Sequence, residues 1–383
     1  MPYYISTHSK ILDLWVAWLR TSNNFKVSHS SSRAPSLKVW GHKIDVLSEN
    51  CLVQNQREHR CINLNPIYGV LVATRNRPES LAKLLESLLV SSIRPTQIVI
   101  ASSGNQITEV INNFRGKLPI THLHIEGKGQ IRQKMAGIKL LLPVLDWVAF
   151  LDDDVILESR AIENMSRTML NFPNYPNLVG VGFSASNWTP APTTVLDNIF
   201  AKIFGVSTKR KGVVLQNGQN SNYIGAESVI QTSWLNGASM WRKKNVDNYD
   251  FPFLNASYSV CEDLIYSYQE SKNGILIYDP NSHFAFQNNI QPSQLSTDAF
   301  SALTYWRMYF VLTNSELSIN LFLWAQIGRT LNYTLSTKGS FENRLEAARD
   351  SFLILIDVFA LAIKKVSPIE ILEMRQNNAG IPD

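Results

Sequence analysis

The chain is poor in cysteine, in charge and in long apolar runs. Its three cysteines, Cys51, Cys61 and Cys261, form no C-x-x-C pair and cannot all pair with one another. That argues against a disulfide framework or a structural zinc site and fits a reducing compartment. Charged residues make up only 17% of the 383 residues, against 45% hydrophobic ones, which excludes a disordered or fibrous protein and allows one large domain or two ordinary ones. The 36 basic and 31 acidic residues leave a surplus of +5, spread along the chain except at Lys209, Arg210 and Lys211. Such a surplus suits contact with phosphates or an anionic membrane surface and gives no reason to expect nucleic acid. The N-terminal apolar stretch Ile11–Leu19 is broken by Asp13 and lacks a cleavage site, so it does not read as a signal peptide. The longest apolar run elsewhere, Phe352–Ile363, contains Asp357 and falls short of the roughly 20 residues a spanning helix needs. The expectation is a cytoplasmic chain without an anchor, in which the sequons at Asn164, Asn187, Asn255 and Asn332 arise by chance.

Residues 1–66 are polar and mixed, with an amphipathic helix expected around Lys10–Arg20; they read as an appendage. From residue 67 strands and helices alternate. Tyr68–Ala73 is an apolar strand, and Pro78 opens a helix whose apolar face is Leu81, Leu84, Leu85, Leu88 and Leu89. Ile98–Ala101, Thr121–Ile125 and Trp147–Leu151 read as further strands, with a helix over Ile131–Leu142. Strands separated by helices imply a parallel sheet, whose ligands sit at the carboxyl ends of its strands. Residues 178–185 read as a strand, 190–230 as irregular and 231–241 as a strand or turn. A helix over Glu262–Ser271 and a strand over Ile275–Asp279 follow, and the tail from Leu303 to about Met374 is mostly helical. There is no internal repeat.

The strongest local signal is Phe150-Leu151-Asp152-Asp153-Asp154-Val155. Three adjacent carboxylates at the end of an apolar strand repel one another unless a cation is present. Hard divalent cations such as Mn²⁺ or Mg²⁺ take oxygen ligands and often bridge to substrate phosphates. The string therefore points to a metal-nucleotide site.

With these motifs in hand, the chain resembles the family 2 glycosyltransferases of the GT-A fold. Val70-Leu71-Val72-Ala73-Thr74-Arg75-Asn76-Arg77-Pro78 is similar to that family's first strand and nucleotide loop, and Gly127-Lys128-Gly129-Gln130-Ile131-Arg132 to the stretch before its acidic motif. Asp152–Asp154 matches the acidic motif itself. Trp234-Leu235-Asn236-Gly237-Ala238 and Cys261-Glu262-Asp263-Leu264 resemble the acceptor-side strand and the ED motif. Each string is weak alone, but five in order are specific.

The resemblance implies an α/β fold: a Rossmann-like GT-A nucleotide-sugar domain with a mixed central sheet over 67–290, an N-terminal appendage over 1–66 and a C-terminal helical extension over 291–383. It implies an inverting, metal-dependent hexosyltransferase moving a sugar from a nucleotide-diphosphate sugar to a hydroxyl acceptor in cell-envelope or exopolysaccharide assembly. Thr74, Arg75, Asn76, Ser102, Arg132, Asp152 and Asp153 would bind the nucleotide-sugar. Asp152 and Asp154, with His283, would hold Mn²⁺ or Mg²⁺. Asp263, its proton affinity raised by Glu262, would be the general base, and both acids are placed in catalysis. Trp234, Asn236 and Gly237 would face the acceptor. Ser102 stands where the family usually has an acid that reads the base, which leaves the nucleotide open. Trp234, Trp241 and Tyr258 form either a platform for a sugar ring or core packing. A lipid-linked glycan acceptor and a peripheral site on the inner face of the plasma membrane would follow if the aromatic and basic residues Tyr305, Trp306, Arg307 and Tyr309 faced a lipid surface. A nucleotidyltransferase and a catalytically silent carbohydrate-binding protein remain as rival readings.

Overall fold

The computed structural model describes residues 66–127, 129–188, 195–251, 261–287, 297–336, 341–364, 366–367 and 370. The appendage up to residue 65, the helix expected at Lys10–Arg20, and Tyr258 lie outside them.

The first half alternates as expected: β1 (Tyr68–Arg75), α1 (Pro78–Leu89), β2 (Gln97–Ser103), α2 (Thr108–Phe114), β3 (Ile120–His124), α3 (Gln130–Ile138) and β4 (Trp147–Asp152). There follow β5 (Val155–Leu157), α4 (Ala161–Asn171), β6 (Leu178–Ala185), α5 (Val195–Ile203), β7 (Ile230–Thr232), β8 (Ser239–Arg242), α6 (Lys243–Val246), α7 (Glu262–Glu270) and β9 (Ile275–Phe286). Three helices close the described chain: α8 (Thr297–Thr313), α9 (Ile319–Ser336) and α10 (Phe341–Lys364). The stretch 190–230, expected to be irregular, contains α5. Residues 231–241 divide between two short strands, and the loop between them carries Leu235, Asn236 and Gly237.

One mixed sheet organises the domain, in the order β3-β2-β1-β4-β8-β6-β9-β5, with β7 on β9. β1 pairs in parallel with both β2 and β4, whereas β8 is antiparallel to both β4 and β6. Alternate residues of the parallel strands serve opposite faces. Val70, Val72, Ile98 and Ile100 pack with Leu81, Leu84, Ile111, Ile162 and Met165 from α1, α2 and α4. Leu71, Val99, Val148 and Phe150 pack with Ile131, Ile138 and Leu264 from α3 and α7. Apolar residues on both faces explain why these strands read as continuous runs rather than alternating ones. The second cluster continues into Trp306, Phe310, Phe322 and Val358, so α8, α9 and α10 share the core of the sheet.

That core also corrects the expectation for the tail. Tyr305, Trp306, Arg307 and Tyr309 are all buried, at 8% exposure or less, and present no face to a lipid surface. Among the described residues no helix is long and apolar enough to cross a membrane.

Candidate active site

The strand order turns back at β1, with β2 on one side and β4 on the other, and the carboxyl ends of the three strands lie together. Ala73 is in register with Asp152, and Thr74 with Ser102. This is the edge at which parallel sheets of this kind bind ligands.

The three acids after β4 take different directions. Asp153 is buried and accepts hydrogen bonds from Thr74 Oγ1 at 2.6 Å and Arg77 Nη1 at 3.0 Å. Thr74 and Asp153, both expected to bind nucleotide, are thus committed to each other and fix the β1 loop against the acidic turn. Asp152 and Asp154 remain half-buried; Asp152 accepts from Gln130 Nε2 at 3.2 Å, and Asp154 Oδ2 lies 3.5 Å from Arg77 Nη1. Burial raises the proton affinity of all three, with their mutual repulsion adding to it; Lys134 chiefly opposes it at Asp152, the Thr74 hydrogen bond and Arg77 at Asp153, and Arg77 at Asp154. The sequence pointed to repulsion; burial is the larger cause.

Arg75 and Asn76 are exposed beyond β1. Asn76, in the left-handed region at φ 56°, accepts from Asn105 N–H at 2.7 Å and ties the β1 loop to that of β2. The neighbouring Gly104 has φ 75°, and a Cβ there would fall 2.2 Å from Asn76 Oδ1, so glycine is required. Ser102 is buried and bonds His122 Nε2 at 2.8 Å and His124 Nδ1 at 3.1 Å. Burial, with His124 alongside, lowers the pKa of His122. The position that carries no acid is therefore backed by two imidazoles, which sequence reasoning missed although Ile120, His122 and His124 alternate onto one face of β3. Arg132 is exposed in the first turn of α3, and a Cβ on Gly127 would sit 3.2 Å from its Nη1.

The ED pair separates. Glu262 is buried and accepts from Lys134 Nζ at 2.9 and 3.1 Å and from Tyr249 Oη at 2.6 Å. Its oxygens face inward, which corrects the expectation that it shares the catalytic cleft. Asp263 keeps 39% of its side chain exposed, with Oδ1 at 3.6 Å from Lys134 Nζ. Burial pushes its pKa up to about 7, against Lys134 and with the help of Glu262 and Asp152. Burial of Lys134 disfavours its charge, but Glu262, Asp263 and Asp152 outweigh this and raise its pKa. The sequence held a signal for Lys134: it occupies the inward place between Ile131 and Ile138 on α3, where a lysine needs an acid partner. For Tyr249 there was none.

Gly237 closes the site. A Cβ there would lie 2.5 Å from Asp152 Oδ2 and 3.2 Å from Asp263 Oδ2, so the two carboxylates share the space a side chain would fill. Asn236 donates its backbone N–H to Tyr223 Oη at 2.7 Å, and its side-chain Oδ1 is buried without a partner among the described residues. Trp234 is half-buried, donates to Ser221 O at 2.8 Å and packs on Tyr223 with ring centroids 4.7 Å apart. Trp241 is 2% exposed and belongs to the core, so it cannot offer a platform to a sugar.

His283 is not at the acids. The β5–β9 pairing sets Gln287 N–H on Asp154 O at 2.9 Å, whereas Glu158 N–H meets His283 O at 3.1 Å. His283 is four residues farther along β9, about 13 Å at the rise of a strand. Among the described residues no group of three or more His, Cys, Asp or Glu is placed to hold a metal ion. Asp152 and Asp154 nonetheless fit a hard cation completed by substrate phosphates, since Mg²⁺ is commonly held by one or two carboxylates.

Residues 69–235 match the family model described as glycosyl transferase family 2. The match takes in Thr74 to Asp154 and Trp234 and stops before Gly237 and Asp263. No curated protein matches the chain in sequence. Solved structures similar to it include a TarS fragment from S. aureus in complex with UDP-GlcNAc, 15% identical, covering 77% of this chain and 83% of that one at a TM-score of 0.46. Another is the mannosyltransferase PcManGT from Pyrobaculum calidifontis in complex with GDP-Man and Mn²⁺, 10% identical, covering 82% and 80% at a TM-score of 0.46. At these identities and scores the likeness carries no functional argument. The family match, which covers 167 of the 383 residues, supports a glycosyltransferase and sets the nucleotidyltransferase reading aside.

Proposed function

We propose that this chain transfers a sugar, with inversion, from a nucleotide-diphosphate sugar to the hydroxyl of an envelope or exopolysaccharide glycan. The observation that carries the reading is that Asp152 Oδ2 and Asp263 Oδ2 both face the place a side chain would take at Gly237. Asp152 ends a parallel strand where a nucleotide would sit, and Asp263 is a half-exposed carboxylate with a pKa near 7. Asp152 and Asp154 would hold Mn²⁺ or Mg²⁺, which neutralises the diphosphate as it departs.

The remaining chemistry belongs to the side chains. Asp263 accepts the proton of the acceptor hydroxyl as its oxygen attacks the anomeric carbon on the face opposite the nucleotide; the bond to the diphosphate breaks as the new glycosidic bond forms. Lys134 and Glu262 hold Asp263 in place without touching substrate. The unpartnered Asn236 Oδ1 is an acceptor for a sugar hydroxyl, and exposed Arg132 is free to reach a phosphate. Ser102, with His122 and His124, sits where the base would lie.

Asp263→Asn tests the reading. The variant should bind nucleotide-sugar in the presence of Mn²⁺ as the wild type does and lose transfer by at least about a hundredfold, as removal of a general base does. Asp154→Ala should instead lose metal-dependent donor binding. Wild-type turnover by Asp263→Asn would overturn the base assignment, and a thermal-shift panel of nucleotides with and without Mn²⁺ would name the base.

A further inference from the structure

Two guanidinium groups, one buried and one half-buried, lie near Cys261 with no carboxylate to answer them among the described residues. Arg307, from α8, is 6% exposed. Its Nη1 donates to Gly218 O and Gln219 Oε1, both at 2.9 Å, and its Nη2 to Asn220 Oδ1 at 3.2 Å, with Cys261 Sγ at 3.9 Å. Arg329, from α9, lies close enough to Arg307 and Cys261 for their charges to interact, its Cζ 5.9 Å from the Phe300 ring centre. Among the described residues it donates no hydrogen bond and pairs with no acid.

Three buried nitrogens in this cluster have hydrogens and no acceptor among the described residues: Gln219 Nε2, Arg307 Nε and Arg329 Nη1. All three are donors. A buried donor left unmade costs about 1–3 kcal/mol, and more when charged, so two on like-charged guanidinium groups and one on a neutral amide together call for an acceptor-rich anion. Burial and Arg307 depress the pKa of Arg329 to about 9, with Cys261 opposing, which is the sign of a cation lacking its counter-charge. Gln219, Asn220, Cys261 and Arg329 keep partial exposure as residues while the three nitrogens themselves are covered, so an anion would reach them through a shift of these side chains.

We propose that Arg307, Arg329 and Gln219 form a phosphate subsite for an acceptor that carries a phosphoryl group near the hydroxyl to be glycosylated. The position favours acceptor over donor: Arg307 Nη2 lies 3.9 Å from Cys261 Sγ, two residues before Asp263, and among the described residues no contact ties either arginine to Asp152 or Asp154. Tetrahedral phosphate matches the fork of two guanidinium groups and offers enough oxygens for all three donors. Both arginines come from helices beyond the stretch that matches the family, so the subsite is a feature of this chain's C-terminal helices. The assignment of the phosphate to the acceptor rests on Asp263 being the base; the existence of the anion site does not.

The test uses the full chain and Arg329→Gln, because among the described residues Arg329 makes no hydrogen bond whose loss would unfold the protein. Titration calorimetry and thermal shift would be run with inorganic phosphate and with glycerol 3-phosphate, glycerol serving as control, and separately with UDP and GDP plus Mn²⁺. Wild type should bind both phosphates saturably without Mn²⁺ and ignore glycerol. Arg329→Gln should lose about tenfold or more of that affinity, the worth of one charged hydrogen bond, and should keep its nucleotide affinity. Without ligand it should melt no lower than wild type, since one of two repelling charges is gone, whereas a merely structural arginine would lower the melting point. Arg329→Lys should keep part of the phosphate affinity. No saturable phosphate binding by wild type, or equal binding by Arg329→Gln, overturns the site. Loss of nucleotide affinity in Arg329→Gln overturns the acceptor assignment and gives the subsite to the donor. Phosphate binding to the folded chain needs no turnover, so a failure of the base assignment shows separately, in Asp263→Asn.

Discussion

Lys134 donates to both carboxylate oxygens of Glu262, at 2.9 and 3.1 Å, and both side chains are only 4% exposed. This buried pair decides which of two adjacent acids is available: Glu262 is drawn inward and Asp263 is left at the cleft. Removing one partner leaves a buried charge uncompensated, which costs roughly 3–5 kcal/mol. Lys134→Met should therefore lower the melting temperature sharply, and Lys134→Met with Glu262→Gln should recover most of the loss. A double-mutant cycle by chemical denaturation measures the coupling. Additive single losses would show that the pair does not act as a unit.

Gly237→Ala is the sharper test of the site. The cost is local, because a methyl at 2.5 Å from Asp152 Oδ2 must push that carboxylate aside and would crowd Asp263 Oδ2, at 3.2 Å, as well. The expected outcome is loss of nucleotide-sugar affinity and of kcat with the fold kept, read by calorimetry and thermal melting together. An alanine variant with wild-type kcat/KM would show that the two acids do not need their present separation.

Much of this was legible in the residues. The strands of the parallel half are buried on both faces and so read as apolar runs, and Pro78 marks the start of α1. Asp152 and Asp154 were legible because acids at the end of an apolar strand have few other uses. What was not legible depends on contacts between distant segments. Nothing near Asp153 tells that it turns inward to Thr74, nor near Glu262 that Tyr249 and Lys134 wait for it. His283 follows a strand, as expected, but β9 runs on through Pro280 to Phe286, and that added length carries the histidine away from the acids. In the tail, Tyr305, Trp306 and Arg307 look like a surface only until the sheet supplies the core they pack into.

A membrane contact, if the protein makes one, falls on α10 rather than on the face the sequence offered. Leu345, Phe352, Leu353, Ile356 and Ile363 are exposed on it at spacings of seven, eight, eleven and eighteen residues from the first, which return to one side of a helix. Arg349 and Lys364 lie exposed on the same helix, the mixture that favours an anionic interface. Flotation with anionic liposomes at low salt should carry the protein upward, and Phe352→Glu with Ile356→Glu should abolish it. A wild-type chain that stays with the soluble fraction, or a double variant that still floats, removes the idea.

Asp263 sets the dependence on pH, and activity and stability should move in opposite directions. Its folded-state pKa is raised to about 7, chiefly by burial, against an unfolded value of about 3.9. As a base it works only when ionised, so kcat should climb through about pH 7 and fall about tenfold per unit below it. For stability the sign is reversed: between about pH 4 and 7 the folded chain holds a proton that the unfolded chain has released. This group's contribution therefore weakens as pH rises across that window and is level beyond it. A cation held by Asp152 and Asp154 replaces repulsion by attraction, so loading with Mn²⁺ should draw the kinetic limb to lower pH. Asp263→Asn carries no titrating group and should lose transfer at every pH while flattening the stability curve over the same window. Rates from about pH 5.5 to 8.5 and denaturant midpoints across about pH 4 to 8.5, for both proteins, measure the two effects. A wild-type rate that is flat through pH 7, or an Asp263→Asn stability curve that keeps the wild-type slope, would locate the titrating base in some other residue.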